Sequence, residues 1–134
     1  MSRKVNPLDD SETVTLILYA DSGENYLGKK VYLVIRCQSS EISLYIGWNN
    51  YLGSEASLTT RIGTEKAVKN RWSLSTDSQA TFDNQPTNTI NKMLGNQKFI
   101  AQVTPYNESP VTAIFDITGI DNAVKPLIDV CGVF

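Results

Sequence analysis

Alternation of apolar and polar positions dominates the first two thirds of the chain and predicts β-strands. In residues 30–37 every second side chain, from Val31 to Cys37, is apolar. Side chains alternate across a strand, so these positions share one face. Turn-forming residues separate the segments, as at 21–25 and 105–110. The other predicted strands are 13–20, 42–48, 56–62, 67–74, 79–82, 99–103 and 111–117.

Helical spacing replaces this alternation at two places. Residues 86–94 are a predicted helix, and Gly95 follows where glycine commonly ends one. A second apolar stripe runs from Ile120 to Cys131, with Thr118 as the predicted cap. Pro126 either kinks that helix or opens a second short turn. The pattern predicts a mainly β (α+β) fold, an antiparallel β-sandwich or curled sheet with one short helix and a C-terminal helix packed on it.

Length and composition indicate one folded unit. The chain has 134 residues, of which 41% are hydrophobic and 19% charged, with a formal net charge of -2. We divide it into a polar N-terminal segment, 1–12, and a single β-rich domain, 13–134. This balance excludes a disordered chain and gives no basic surface for a nucleic-acid partner. No apolar stretch reaches the length of a membrane span.

Each of the two cysteines ends an apolar face. Cys37 closes the face of the strand at 30–37, and Cys131 closes the stripe of the C-terminal helix. Both sulfurs therefore point inward, and we favour a disulfide between helix and sheet over two buried free thiols. A disulfide implies an oxidising compartment. Residues 1–12 contain no signal-peptide hydrophobic region, whereas a protein with a disulfide has to reach an oxidising compartment. We therefore expect that an export signal has been removed.

The chemistry available to the chain is limited, because it contains no histidine. This excludes catalysis by Ser-His-Asp or Cys-His groups, and it excludes metal sites built from histidine. Two cysteines are too few for a thiolate zinc site. We expect no catalytic residues, no metal and no cofactor. Paired carboxylates could still hydrolyse a glycoside. However, Asp9 and Asp10 suit a turn, and Asp116 suits a partner for Arg36 or Arg61, or a place facing water.

Arginines within strands and aromatic side chains are the candidate binding residues. Arg36 and Arg61 could bind a carboxylate or phosphate, although a salt bridge or a surface position explains them more simply. Trp48 is expected in the core, because it shares a face with Leu44 and Ile46. Exposed loops at 49–53 and 105–109 are the predicted contact elements. The candidate binding residues are Arg36, Arg61, Tyr45, Tyr51, Trp72 and Tyr106.

Four runs of sequence resemble the TagO/VasI family, accessory proteins associated with type VI secretion. They are LDDSETVTLIL at 8–18, LVIRC at 33–37, TPYNESPVTAIFDITGID at 104–121 and PLIDVC at 126–131, with Trp72, Asp77 and Phe82 between them. The resemblance covers nearly the whole chain and is weakest over 41–65. It implies a periplasmic protein made with an export signal, and it implies that the two cysteines pair. It supplies no catalytic residues.

We therefore expect a non-enzymatic periplasmic accessory protein that acts through protein–protein contacts with components of a type VI secretion apparatus or of the envelope. A module that binds cell-wall glycan or peptide is the first alternative, and it predicts a concave aromatic patch near Arg36 or Arg61. A prophage-encoded envelope or exclusion protein is the second. The third, a carboxylate-dependent wall hydrolase, requires two acids that face each other across a groove.

Overall fold

The computed structural model describes residues 2–24 and 30–131, which form nine strands and three short helices. All of the predicted strands are present, and so are both predicted helical regions. In chain order the elements are β1 (Ser2–Val5), β2 (Glu12–Glu24), β3 (Lys30–Gln38), β4 (Glu41–Gly47), β5 (Ala56–Ile62), β6 (Val68–Leu74), β7 (Ala80–Phe82), α1 (Pro86–Met93), β8 (Lys98–Val103), β9 (Val111–Asp116), α2 (Ile120–Ala123) and α3 (Lys125–Cys131).

The strands form one antiparallel sheet that closes on itself. Their order is β1-β2-β3-β4-β7-β6-β5-β8-β9, and β9 returns to β2 at the pair Ile114 and Ser22. Eight strands thus make a barrel, and β1 adds to it as a further strand on β2. Of the two predicted architectures, a β-sandwich or a curled sheet, the β-sandwich is wrong, because the sheet closes into a barrel. Alternation indicates which face of a strand is buried, but it does not indicate whether the two edges of a sheet meet.

A packed apolar core fills the barrel. The inward face predicted for β3, from Val31 to Cys37, is confirmed. Phe99 and Phe115 lie opposite each other on β8 and β9 with their ring centroids 5.9 Å apart, and both are fully buried. Trp48 is 1% exposed, as predicted. Its indole N–H donates a hydrogen bond of 3.0 Å to Oγ1 of Thr81, a buried hydroxyl on β7.

β2 is longer than the alternation predicted. Residues 21–24 belong to this strand and not to the predicted turn, and Asn25 lies outside the described residues. A register shift between Tyr19 and Glu24 marks a bulge, which bends a strand and increases its twist. The bulge lies where β2 approaches β9. The polar segment 1–12 also contributes, because it contains β1, where Arg3 donates to Glu12 at 2.6 and 3.0 Å.

Two short helices, α2 and α3, cover the inner face of β2 and β3. Ile120, Val124 and Leu127 are buried there. Pro126 lies in the first turn of α3, which confirms the predicted alternative that a second short helix begins there. Proline lacks the N–H that would continue α2. The predicted Thr118 cap is wrong. Gly119 precedes α2 at a φ of 80°, a conformation that favours glycine, and the Thr118 N–H donates to Asp116 instead.

The predicted disulfide is present between Cys37 on β3 and Cys131 on α3, with their Cα atoms 6.0 Å apart. It attaches the last helix to the sheet. A disulfide fits a protein that works outside the cytoplasm. Within residues 2–24 and 30–131, no helix combines the length and the apolar character needed to cross a bilayer.

Candidate functional site

An apolar and aromatic patch lies on the outside of β2, β3, β4 and β7, and we call it the aromatic face. Side chains alternate along a strand, so each outward residue has inward neighbours in the core. The register aligns four of its side chains in one row across the four strands, with two tyrosines in the row beside it. The aromatic face consists of Ile17, Val34, Tyr45 and Phe82 in the first row, and of Tyr19 and Tyr32 in the second.

Contacts between rings hold this face together. Tyr45 and Phe82 have centroids 4.8 Å apart, and Tyr19 and Tyr32 have centroids 6.2 Å apart. The Arg36 guanidinium carbon lies 5.5 Å from the centroid of the Tyr45 ring, within the range of a cation–π interaction. Burial raises the pKa of Tyr32, with smaller contributions from neighbouring groups that include Tyr45, so its hydroxyl is protonated at neutral pH. A cationic side chain, Arg36, thus lies against the Tyr45 ring of the face.

A glycine provides the space for one of these rings. A Cβ built on Gly47 would lie 2.1 Å from Cζ of Tyr32, which is closer than atoms can approach. Tyr32 is the cross-strand partner of Gly47, and its ring lies over the glycine backbone. Glycine in a strand interior often marks such a close approach. The absence of a side chain at Gly47 therefore allows the Tyr32 ring to lie against this backbone.

We expect Gly47→Ala to lower the free energy of unfolding by about 1–3 kcal/mol, because the new methyl group displaces the Tyr32 ring. Urea denaturation measures the change. The matched control is the same substitution in a Tyr32→Ala background, where the ring is gone and alanine is tolerated. An equal cost in both backgrounds would show that the overlap with Tyr32 is not the cause.

The structure brings together four of the six candidate binding residues, in two pairs. Arg36 and Tyr45 meet on or beside the aromatic face. Tyr51 and Tyr106, which are 55% and 61% exposed, meet edge to face with centroids 5.9 Å apart. The Tyr106 N–H also donates to the Tyr51 carbonyl at 3.2 Å. The two loops predicted as contact elements are thus in contact with each other, and Tyr106 braces the loop that carries Tyr51.

The other two candidates lie apart from these pairs. Arg61 is exposed on the outer side of β5, and its Nε–H donates to the Glu65 carbonyl at 2.9 Å. Trp72 is 6% exposed and points inward from β6. Among the described residues neither Arg36 nor Arg61 forms an ion pair. A ligand platform that combines all six candidates is therefore not formed.

The carboxylates considered for hydrolysis form turns. The Ser11 N–H donates to Asp9 and the Thr118 N–H donates to Asp116, each at 3.0 Å. Hydrogen bonds from Ser11 hold the pKa of Asp9 below its ordinary value, and hydrogen bonds from Thr118 do the same for Asp116. Asp116 was predicted either to pair with Arg36 or Arg61 or to face water. It is exposed and faces water. These acids have the environment of exposed turn residues.

A polar cavity of about 320 Å³ lies between the β5–β6 hairpin and α1, and we call it the mouth cavity. β7 pairs only with Ser73 and Leu74 of β6, so the first part of β6 has no strand beyond it. α1 packs against β4 and faces the hairpin across the cavity. Inward side chains of the hairpin line one wall, and the polar side of α1 lines the other. The lining includes Thr60, Val68, Asn70, Trp72, Asn88 and Lys92.

Hydrogen bonds fix α1 beside the cavity. The Asp83 carboxylate accepts from the Gln85 N–H at 2.9 Å and from the Thr89 hydroxyl. Asn84 accepts from the Ser73 hydroxyl at 2.8 Å and donates to the Arg71 carbonyl at 3.2 Å. The turn before α1 is thus tied both to the helix and to β6. Sequence reasoning missed this cavity, although a polar Asn70 at an inward position of β6 was a signal for it.

Among residues 2–24 and 30–131, no cluster of three or more His, Cys, Asp or Glu side chains could hold a metal ion. Comparisons with protein-family models, curated proteins and solved structures find no match to this chain. The resemblance to the TagO/VasI family therefore stays a prediction that depends on the sequence runs alone.

Proposed function

We propose that this chain is a non-enzymatic binding protein whose aromatic face docks a protein partner. The observation that supports the proposal is the alignment of this face across four neighbouring strands. Ile17 is 48% and Tyr19 59% exposed, Tyr32, Tyr45 and Phe82 are half-buried, and Val34 is buried. A contiguous exposed apolar patch marks an interaction site more often than scattered apolar residues do. Tyrosine, phenylalanine and arginine are also the side chains enriched at the centres of protein interfaces.

The surroundings of the face favour a protein over a lipid. Polar side chains border its apolar rows, since Thr15, Arg36 and Ser43 form the next row of the same register. An apolar centre with a polar rim is the usual organisation of a protein interface. Arg36 can donate to a carboxylate while it stays on the Tyr45 ring. The partner therefore presents apolar side chains next to an acidic one.

The resemblance to the TagO/VasI family suggests where this partner is found. It implies a periplasmic protein that assists type VI secretion, and the disulfide supports an oxidising compartment. We therefore propose an envelope component of that apparatus as the partner.

The alternatives have less support at this face. A cell-wall module was expected to have a concave aromatic patch near Arg36 or Arg61. Arg36 lies on the outside of a closed barrel, and Arg61 makes no ring contact among the described residues. A hydrolase needs two acids across a groove, and Glu65 and Asp83 do line the mouth cavity. However, the Asp83 carboxylate is engaged by Gln85 and Thr89, so we assign it to positioning α1.

Binding to purified envelope subunits of a type VI apparatus tests the proposal. We expect saturable binding that Tyr19→Ser weakens at least about tenfold, because Tyr19 is the most exposed ring of the face and truncation of a tyrosine hot spot costs about 2 kcal/mol or more. Tyr106→Ser is the matched control, since Tyr106 is 61% exposed and lies outside the aromatic face. It is expected to leave the affinity unchanged.

Two results would contradict this proposal. If Tyr106→Ser weakens binding and Tyr19→Ser does not, the contact surface is the pair of loops. If no subunit binds saturably, or if the pure protein releases soluble products from wall fragments, the protein is not the accessory binding protein proposed.

A further inference from the structure

We infer that the mouth cavity binds a hydroxylated organic anion of the sugar-acid class. This inference does not depend on the proposed function, because the cavity lies between α1 and the inner side of the β5–β6 hairpin, whereas the aromatic face lies on the outside of other strands. Its volume of about 320 Å³ is at the lower end of the range for small-ligand pockets, which is about 300–1,000 Å³. A small ligand therefore fits it.

The charge of the cavity favours an anion. Three cationic side chains line it, Lys66, Arg71 and Lys92, against two carboxylates, Glu65 and Asp83. The Arg71 guanidinium pairs with Glu55 at 3.1 Å. In the part of the chain that the structure describes, neither Lys66 nor Lys92 forms an ion pair, and both are exposed. Two ammonium groups are thus available to a bound carboxylate.

The uncharged lining indicates what accompanies the anionic group. The amides of Asn70 and Asn88 both donate and accept hydrogen bonds, and the Thr60 hydroxyl does so too. Sugar hydroxyls also donate and accept, so they match such side chains. The Asn88 Nδ2 donates to Gln85 at 3.0 Å, which leaves one of its two N–H groups and its carbonyl oxygen for a ligand. A simple inorganic anion would leave these groups without a role.

An apolar surface completes the site. Ile62, Val68 and Trp72 line the cavity next to these polar groups. Small-molecule sites commonly combine an apolar lining with a few convergent polar groups, and the C–H side of a sugar ring suits such a lining. A ring with hydroxyls, an apolar side and one carboxylate meets all three requirements. Such sugars occur in acidic polysaccharides and in the cell wall.

Titration of the ¹⁵N-labelled protein with glucuronate tests this assignment. The chain contains only two tryptophans, so their two indole N–H resonances can be followed separately. We expect the Trp72 indole resonance to shift and saturate, since Trp72 lines the cavity. The Trp48 resonance stays in place, because its N–H is bonded to Thr81 in the core. Glucose, which has the same ring without the carboxylate, binds about tenfold more weakly. N-acetylmuramate, tested in parallel, distinguishes a wall source from a polysaccharide source.

Lysine variants locate the anionic group. We expect Lys92→Gln and Lys66→Gln each to weaken glucuronate binding about tenfold, because each removes a charge-assisted hydrogen bond. Lys69→Gln is the matched control. Lys69 is next to Asn70 on β6 and is exposed, but it does not line the cavity. Thermal melts confirm that each variant is folded, which matters most for Lys92 in the last turn of α1.

Several outcomes would overturn the inference. No saturable shift of Trp72 with either sugar acid excludes the site. Equal affinity for glucose and glucuronate excludes the role of the lysines, and so does an equal loss of affinity in Lys69→Gln. If inorganic phosphate binds as tightly as the sugar acids, the cavity is only a non-specific anion site.

Discussion

Reduction of the Cys37–Cys131 bond is expected to lower the free energy of unfolding by about 4–5 kcal/mol. The two cysteines are 94 residues apart in sequence, so the bond closes a long loop and removes many conformations from the unfolded chain. Because the bond also attaches α3 to β3, its loss frees the helix that covers the inner face of the sheet. Urea denaturation with and without reductant measures the difference.

The Cys37→Ala/Cys131→Ala double variant separates the bond from the effect of the reductant. We expect it to be destabilised in air to nearly the same extent as the reduced wild-type protein, and to be insensitive to reductant. Alanine is chosen because Cys37 is fully buried and a serine hydroxyl there would be unsatisfied. If oxidised and reduced wild-type protein unfold at the same urea concentration, the bond does not stabilise this fold.

Trp48→Ala is expected to lower the free energy of unfolding by about 3–5 kcal/mol, because it leaves a large cavity in the core. Trp48 is among the largest of the fully buried side chains and follows directly after β4. Its loss also leaves the buried Thr81 hydroxyl without the indole donor. Leu8→Ala is the control, because Leu8 is 92% exposed, and a change within about 0.5 kcal/mol is expected there.

Thr81→Val resolves the hydrogen-bond contribution, since valine has nearly the same shape as threonine but no hydroxyl. We expect a loss of about 1–3 kcal/mol, because the indole N–H then stays buried without an acceptor. In the Trp48→Ala background we expect Thr81→Val to lower the free energy of unfolding by less. Urea denaturation of the variant in both backgrounds measures the difference. Additive costs would show that the two side chains do not interact.

Local patterns predicted much of this fold. Alternation located the strands and assigned the inward face of β3, and helical spacing placed Cys131 where it meets Cys37. Trp48 was correctly assigned to the core because its neighbours on the same face are apolar. These predictions succeed because the side-chain period of a strand or helix is a property of the chain itself.

Closure of the sheet and the shape of the sites could not be predicted in this way. The pair of Ser22 and Ile114 joins segments far apart in sequence, and no local pattern indicates such a pairing. The mouth cavity depends on how short β7 is relative to β6, which only the completed sheet determines. Likewise, the contact between Tyr51 and Tyr106 needed the relative position of two loops.

The same distant pairings bear on how quickly the chain folds. Loop closure costs entropy before a distant contact can repay it, so sheets joined by remote strands fold slowly. Here β9 pairs with β2, and α3 carries the second cysteine of the disulfide. The barrel therefore stays an open sheet, with an unpaired edge on the last part of β2, until β9 has been synthesised. Oxidation of the cysteines in their native pairing must wait longer still, because α3 follows β9 in the chain.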